Sequence, residues 1–478
     1  MNRLKVGFSR ENINPPLGIG VHGYFVPRFA SKILDDLYVN AIALTTDEAA
    51  EEEVKVWNPD TGRYNRDAKK APYGNCVLMY SIDNCGINAA QCLTFRKYIS
   101  KLTGVPVENI FLQCTHTHTG PFARVDNAFE VDPEPIEKYA EFLMTRLADS
   151  GLQALMDMKP ARMGFCEGVA PDRVAYIRRY KMKDGTTWTC PPIEDPDIDH
   201  VIGELDQRVN VLRFDREGAD TIVMMNYGLH ADCLNLDAIS PDWPGWMSRT
   251  FEAAVPGTKC VFFNGCEGDV GSTHVWPEGG DMNDTFISFD NEMKSEGMAR
   301  FVGRALCGTI LQVYDKVEYV DVDEVKMLSK TLKVAANVPK PEELPRAHQY
   351  KEWHDAGRDD LIPYTAMELT TVVAEALRMC RLENGPEFFD LTLSGVKIGP
   401  VGFVGIPGEP FTGVGVGIKE AEGWKMICPC CLANGSEAYY PMKEAFDEGG
   451  YEARSSDYKG GVAEEIIRGG KELLDELK

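Results

Sequence analysis

The sequence predicts an α/β fold organised around a mixed sheet, and three observations carry that reading. Short apolar runs of strand length recur along the chain, among them Val77 to Ile82, Asn109 to Gln113 and Lys259 to Phe263. Between them lie stretches whose apolar residues fall at three- and four-residue steps, as in helices with one buried face. Val209 to Phe214 and Thr221 to Tyr227, separated by Arg216-Glu217-Gly218, read as a hairpin and bring antiparallel neighbours into the sheet.

In chain order, Val6 to Phe25 is loop-rich, with Pro15-Pro16 and several glycines forcing turns, and His22 there is expected to be structural. Leu37 to Thr45 and Val77 to Ile82 follow as strands, separated by a polar hairpin or insertion around Asn58 to Tyr73. Asp83 and Asn84 are natural N-cap residues, and Ala90, Leu93, Tyr98 and Leu102 predict a helix up to Gly104. After the strand ending at Gln113, an apolar stripe of Ile136, Tyr139, Ala140, Leu143, Leu147 and Ala148 predicts an amphipathic helix over Pro135 to Met156. Asp172 to Tyr176 is irregular and rich in Arg and Tyr. Ser240-Pro241-Asp242 opens a helix to about Ala254, in which Trp243 and Trp246 form a packing pair. A further helix spans Met293 to Leu311.

In one domain covering residues 1–478, the charged stretch 315–365, with Pro339, Pro341 and Pro345, is the best candidate for a boundary or a peripheral excursion, and His348 and His354 within it are expected on a solvated face. Strands then fall at Leu391 to Ile398, Val401 to Ile406 and Lys425 to Leu432, and a last helix at about Val462 to Leu477. Gly413, Gly415 and Gly417 do not complete a dinucleotide-binding pattern. Cys428-Pro429-Cys430-Cys431 lacks zinc-ribbon spacing and belongs to a core strand.

Composition narrows the function. A formal charge of -24, from 74 acidic and 50 basic residues, argues against nucleic acid and anionic membrane surfaces as partners. The start, MNRLKVGFSRENINPP, lacks an apolar signal core, and no run of about 18 apolar residues occurs. The expectation is a cytoplasmic protein without stable membrane insertion. Fourteen scattered cysteines are expected to be reduced and buried.

The chemistry gathers around Thr115-His116-Thr117-His118-Thr119-Gly120-Pro121, where a buried strand runs out into a loop. On a strand, residues two apart share a face, so His116 and His118 are expected to project together. His230, the Asn264 to Ser272 turn, Glu409 and Tyr439 each follow a predicted strand in the same way, and ligands of α/β sheets bind at that edge. Two imidazoles, a carboxylate and a phenol oxygen suit zinc better than calcium or magnesium. Asp232, Asp242, Glu267 and Asp269 imply an acidic rim.

Over nearly its whole length the sequence resembles the neutral (non-lysosomal) ceramidases. The motifs are VGFSRENINPPLGIGVHGYF, THTHTGP, HADCLN with SPDWPGW, NGCEGDVG, PGEPFT, and LANGSEAYY followed by GGYE. The resemblance implies an α/β catalytic domain and zinc-dependent hydrolysis of a linear amide in a small-molecule N-acyl substrate. It implies zinc ligands at His116, His230, Glu409 and Tyr439, with His118, Arg173 and Tyr451 around the reacting carbonyl. Two departures stand out. The position of the family's serine is Gly271, with Ser272 one place later, which leaves either Ser272 or metal-activated water as nucleophile and favours the water. The immunoglobulin-like domain that follows in ceramidases is not expected here, which points to a substrate more soluble than ceramide. The alternatives are a non-catalytic metal-containing binding protein and a metallohydrolase of esters or phosphate esters.

Overall fold

The computed structural model describes residues 4–46, 57–58, 63–64, 75–123 and 132–478. Its centre is a nine-stranded mixed sheet. Eight strands run, in spatial order, Thr258–Asn264, Thr221–Tyr227, Arg208–Arg216, Lys159–Val169, Lys5–Asn12, Tyr38–Thr45, Val77–Ile82 and Ile110–Cys114, and Glu318–Val320 pairs with Lys159–Val169. Only the outermost pairs are parallel, at either end; the inner pairs are antiparallel. Ile110–Cys114 is buried at every residue, which explains its unbroken apolar run.

The sheet curls until its two ends approach each other. Ser81 Oγ donates to Phe262 O at 2.7 Å, and Gln113 Nε2 reaches Asn264 O at 3.4 Å. The carboxyl ends of the two parallel pairs therefore face one another. A second sheet lies across one face in the order Val325–Ala335, Phe388–Ile398, Val401–Gly405 and Met426–Cys430, its last pair parallel. Alternation along Val401–Gly405 decides what it touches. Val401 and Phe403 enter the core shared by the two sheets, while Val404 packs toward the C-terminal helix Val462–Leu477. Cys428 and Cys430 lie in the inter-sheet core, as the reading of that segment as core strand expects.

Helices cover the outer faces. Ala89–Thr103 and Pro133–Met156 pack over one half of the main sheet, and Asp242–Ala254 and Glu296–Val313 over the other. The N-cap of the first is Asn88, whose side chain accepts from Gln91 N–H at 2.9 Å. Asp83 and Asn84, expected to cap it, are committed elsewhere. Asp83 accepts from Tyr38 N–H at 2.9 Å, and Asn84 bridges Pro121 O and Gly86 N–H.

The stretch 315–365 differs from the expected excursion. Val325–Ala335 is an eleven-residue strand of the second sheet, and only the helix Leu344–Asp355 and the turn after it pack as a satellite with Ala366–Leu382. His348 is exposed beside Glu383, but His354 is largely covered and pairs with Asp359 at 2.9 Å. Within the polar insertion, Trp57–Asn58 and Arg63–Tyr64 pair antiparallel, and the rest lies outside the described residues.

Two consequences are measurable. At the crossing of Asp242–Ala254 and Glu296–Val313, a Cβ on Gly303 would fall 2.5 Å from Trp246 Cβ and 2.6 Å from Trp243 O. Gly303→Ala must push the helices apart, so urea unfolding should show a loss of about 1–3 kcal/mol. Burial pushes the Asp83 carboxyl up to about 7. An acid held above its unfolded value, about 4, stays protonated in the folded chain while the unfolded chain ionises, so stability falls as pH rises from about 4 to about 7. Asp83→Asn should remove that contribution, and its urea midpoint should drop less between pH 5 and pH 8 than that of the unaltered chain.

Candidate metal centre and active site

His116 stands just beyond the strand Ile110–Cys114 with φ +69°, so the two histidines are not successive positions of one strand. They converge for another reason. The loop doubles back, Thr117 bridges to Ala231, and His118 N–H donates to Ala231 O at 3.0 Å. The threonines between are its anchors: Thr115 donates to Asp83, and Thr117 and Thr119 both donate to Ser240 O, at 2.7 and 2.8 Å. The result sets His118 Nε2 3.1 Å from His116 Nε2.

Both principal imidazoles are pinned from behind. His116 Nδ1 is 2.7 Å from Cys85 O, and His230 Nδ1 is 2.9 Å from Glu267 O and 3.0 Å from Val270 O. With an Nδ1 proton donated to a carbonyl, each ring turns its Nε2 inward; burial lowers His116, but Glu409 and Cys85 more than reverse this and hold it well above its ordinary value. Trp243 Nε1 donates to His230 O at 2.9 Å, so the tryptophan also supports the His230 backbone. Glu409 follows the strand Val401–Gly405 and pairs in parallel register with Tyr439. Its Oε2 lies 3.4 Å from His116 Nε2 and 3.2 Å from His230 Nε2. The neighbouring Gly408 and Gly268 leave no alternative at these approaches, since a Cβ would fall 2.4 Å from Ala438 O and 2.5 Å from Glu409 O respectively.

Glu267 joins them. The donor atoms of His116, His230, Glu267 and Glu409 all lie within 4.8 Å of one another. Both Glu267 carboxylate oxygens and Glu409 Oε2 are buried without a hydrogen-bond partner among the described residues. Such groups cost stability unless a counter-charge meets them. Burial and the Glu409 charge push Glu267 up to about 8. Glu409 itself is held well below the usual carboxylate range: burial raises it, but His116 and His230 more than reverse this. Convergent imidazole nitrogens beside carboxyl oxygens without a hydrogen-bond partner fit a divalent cation.

Around this centre, burial and the neighbouring imidazoles keep His118 well below its ordinary value, and burial with Arg178 lowers His230, so both favour the neutral ring. Tyr439 and Tyr451 meet edge to face at 5.4 Å. Burial raises both phenols and keeps them protonated.

Arg173, expected at the reacting carbonyl, is not there. It points outward, donates to Glu278 O at 2.6 Å and pairs with Asp281. Arg178 occupies the site instead, on the short segment between Tyr176–Ile177 and Arg179–Met182. Its Nη2 donates to Tyr439 Oη at 3.2 Å and to Gly268 O at 2.9 Å, its Nη1 lies 3.4 Å from His230 Nε2, and its Nε is held by Glu452 at 2.8 Å. Ser272 is buried, and its hydroxyl is engaged by Cys233. The acidic residues are not a solvated rim. Asp232, Asp242, Glu267 and Asp269 are all buried, Asp242 accepting from Leu234 N–H and Asp269 from Thr412. Asp232 stays ionised, because Lys294 beside it more than reverses the effect of burial. Sequence reasoning missed Arg178, which no spacing separates from its neighbours, and gave Glu267 no specific role, although it follows a strand end like the other ligand candidates.

Purified protein should carry about one divalent ion per chain by elemental mass spectrometry, and Glu409→Ala should lose it. Glu267→Gln keeps the shape but cannot ionise to meet a cation, and a chelator titration should show affinity lowered by roughly 10- to 100-fold.

No family model and no curated protein matches the chain. Solved structures do, ceramidases among them. The neutral ceramidase from Pseudomonas aeruginosa superposes with a TM-score of 0.68 at 16% identity, over 100% of this chain and 75% of that one. A ceramidase complexed with C2 gives 0.69 at 16% identity, over 100% and 76%. The chain therefore has the fold of the neutral ceramidases, and it spans about three quarters of their length.

Proposed function

We propose that this chain is a zinc-dependent hydrolase of a linear amide in an N-acyl substrate. The observation that carries the reading is the convergence of His116, His230, Glu267 and Glu409 donor atoms within 4.8 Å, beside Tyr439, in a fold shared with ceramidases. Zinc held there supplies a Lewis acid for a carbonyl and lowers the pKa of water to about 7.

The remaining chemistry falls to side chains. His118, neutral and with Nε2 facing the centre, is placed to accept a proton from attacking water and return it to the leaving nitrogen. Arg178 brings a fixed positive charge, and the protonated Tyr451 a hydroxyl, to the side where an oxyanion develops. Water rather than serine as nucleophile fits the loop. A side chain at Gly271 would face Arg178 Cδ and Glu292 Oε1, each 3.8 Å from its Cβ, whereas the Ser272 hydroxyl is turned to Cys233.

An apolar cavity of about 510 Å³ supports an acyl arm. Phe25, Val26, Phe289, Ile362, Leu369 and Val373 help to line it. Phe25 meets Tyr451 edge-on at 6.3 Å, and Phe289 lies 6.0 Å from Tyr24, which is itself 5.4 Å from His118. Two of its lining residues thus lead toward the centre, Phe25 through Tyr451 and Phe289 through Tyr24. Among the described residues no helix is long and apolar enough to cross a membrane.

The test is a panel of N-acyl amino acids, short-chain ceramides, aryl esters and aryl phosphates, offered to the zinc-loaded chain and to His230→Ala. Amide cleavage that disappears in the variant is expected. Phosphate release alone would sink the amide reading, and a metal-loaded chain inert on all four would make it a binding protein. With an amide substrate, Arg178→Ala should lower kcat/KM by about 10²- to 10³-fold. Arg173→Ala, on the surface, should change it by less than about threefold.

A further inference from the structure

His118 is steadied by a buried charge cluster that the amide chemistry above does not account for. Its backbone carbonyl accepts from Arg28 at 2.7 Å, and a Cβ on Gly23 would fall 2.7 Å from its Cγ, so the ring is held closely on that side. Its Nδ1 is buried without a hydrogen-bond partner among the described residues and lies 3.5 Å from Asp232 Oδ1. Asp232 is itself fixed from three directions. Tyr24 Oη donates to Oδ1, Lys294 Nζ meets Oδ2 at 2.7 Å, and the same ammonium donates to the Asp232 carbonyl at 2.5 Å. Lys294 is 1% exposed and is shared with Glu292 at 2.5 Å.

A fully buried ammonium with two carboxylates is an expensive arrangement that apolar residues of similar size could replace in a merely structural core. Here its product is one carboxylate oxygen fixed opposite the ring nitrogen of His118. Of the two imidazole nitrogens, Nε2 is the one 3.1 Å from His116 Nε2 and so faces the centre. A carboxylate at Nδ1 selects the tautomer that leaves Nε2 unprotonated and prevents the ring from flipping.

We propose that Asp232, clamped by Lys294 and Tyr24, is the positioning residue for His118. It acts through that ring and touches no substrate. The kinetic part rests on the amide-hydrolase reading; the geometric part does not.

Asp232→Asn keeps the shape, and Lys294 keeps Glu292, so the variant retains a counter-charge for the buried ammonium. With an amide substrate its kcat should fall by about 10- to 100-fold while KM stays within about threefold and metal content is unchanged. In a His118→Ala background the same change should alter kcat by less than about twofold, because the ring it positions is gone. An equal loss in both backgrounds would overturn the assignment. If Asp232→Asn does not fold, Asp232→Glu, which retains the charge beside Lys294, carries the same comparison. A crystal structure of zinc-loaded Asp232→Asn supplies the readout that needs no activity: the His118 ring should rotate or become disordered. A ring unchanged from the parent structure overturns the proposal whatever the kinetics, whereas a reoriented ring in a chain inert on every amide would sink the hydrolase reading and leave the positioning assignment standing.

Discussion

The centre depends on two hydrogen bonds made by backbone carbonyls. Cys85 O at His116 Nδ1 and Glu267 O at His230 Nδ1 fix a proton of each ring on its outer nitrogen, and so decide that the two Nε2 atoms face the centre. Neither carbonyl belongs to a catalytic side chain. Each is placed by a turn that follows a strand, and each turn is placed by the curl of the main sheet. Because the parallel pairs lie at opposite ends of that sheet, only its closure brings the turn after Val77–Ile82 and the turn after Thr258–Asn264 to one point.

The second sheet completes the arrangement, and buried carboxamides join it to the first. Asn226 Nδ2 donates to Phe263 O at 3.1 Å and Pro429 O at 2.9 Å, Asn210 Nδ2 to Ile427 O at 3.0 Å, and Gln113 Nε2 to Cys431 O at 3.1 Å. An apolar interface would allow the sheets to slide by small amounts at little cost; directional bonds in a dry interior do not. They hold Glu409 and Tyr439, which come from the second sheet, in register with histidines that come from the first.

Much of this was legible in the sequence, because strand length, helical stripes and the placing of polar residues after strand ends are local signals. His116, His230 and Glu409 announce themselves that way, and Tyr439 lies beside Glu409 as its strand-end position suggested. What was not legible depends on backbone direction at single residues. His116 and Arg173 both take positive φ, at +69° and +71°. The first folds its loop so that the two histidine rings meet without a shared strand; the second turns a guanidinium to the surface, where Asp281 holds it. Nothing in PDRVAYIRRY distinguishes Arg173 from Arg178 when φ is unknown. The 315–365 stretch misled for a different reason: Val325–Ala335 is an edge strand with one solvated face, so its lysines give it the composition of a loop.

Charge balance indicates what the centre is built to receive. Arg178 is matched by Glu452, and Lys294 by Asp232 and Glu292, so these two buried cations are already paired within the protein. Glu409 and Glu267 are left, with three carboxyl oxygens lacking a hydrogen-bond partner among the described residues, beside two neutral-leaning imidazoles, His118 and His230, and one, His116, that Glu409 draws toward the charged form. Glu267, pushed up to about 8, and His116, which burial lowers but Glu409 and Cys85 hold well above its ordinary value, each keep a proton that a compact dication would displace; a further lysine or arginine would instead have to find acceptors for its hydrogens at four places within 4.8 Å. The same count explains why Arg178 and the Lys294–Asp232 pair are anchored so heavily from outside. A cation free to swing inward would compete for the carboxylates, and only one held by its own counter-ion can stand beside the centre and still act on a substrate.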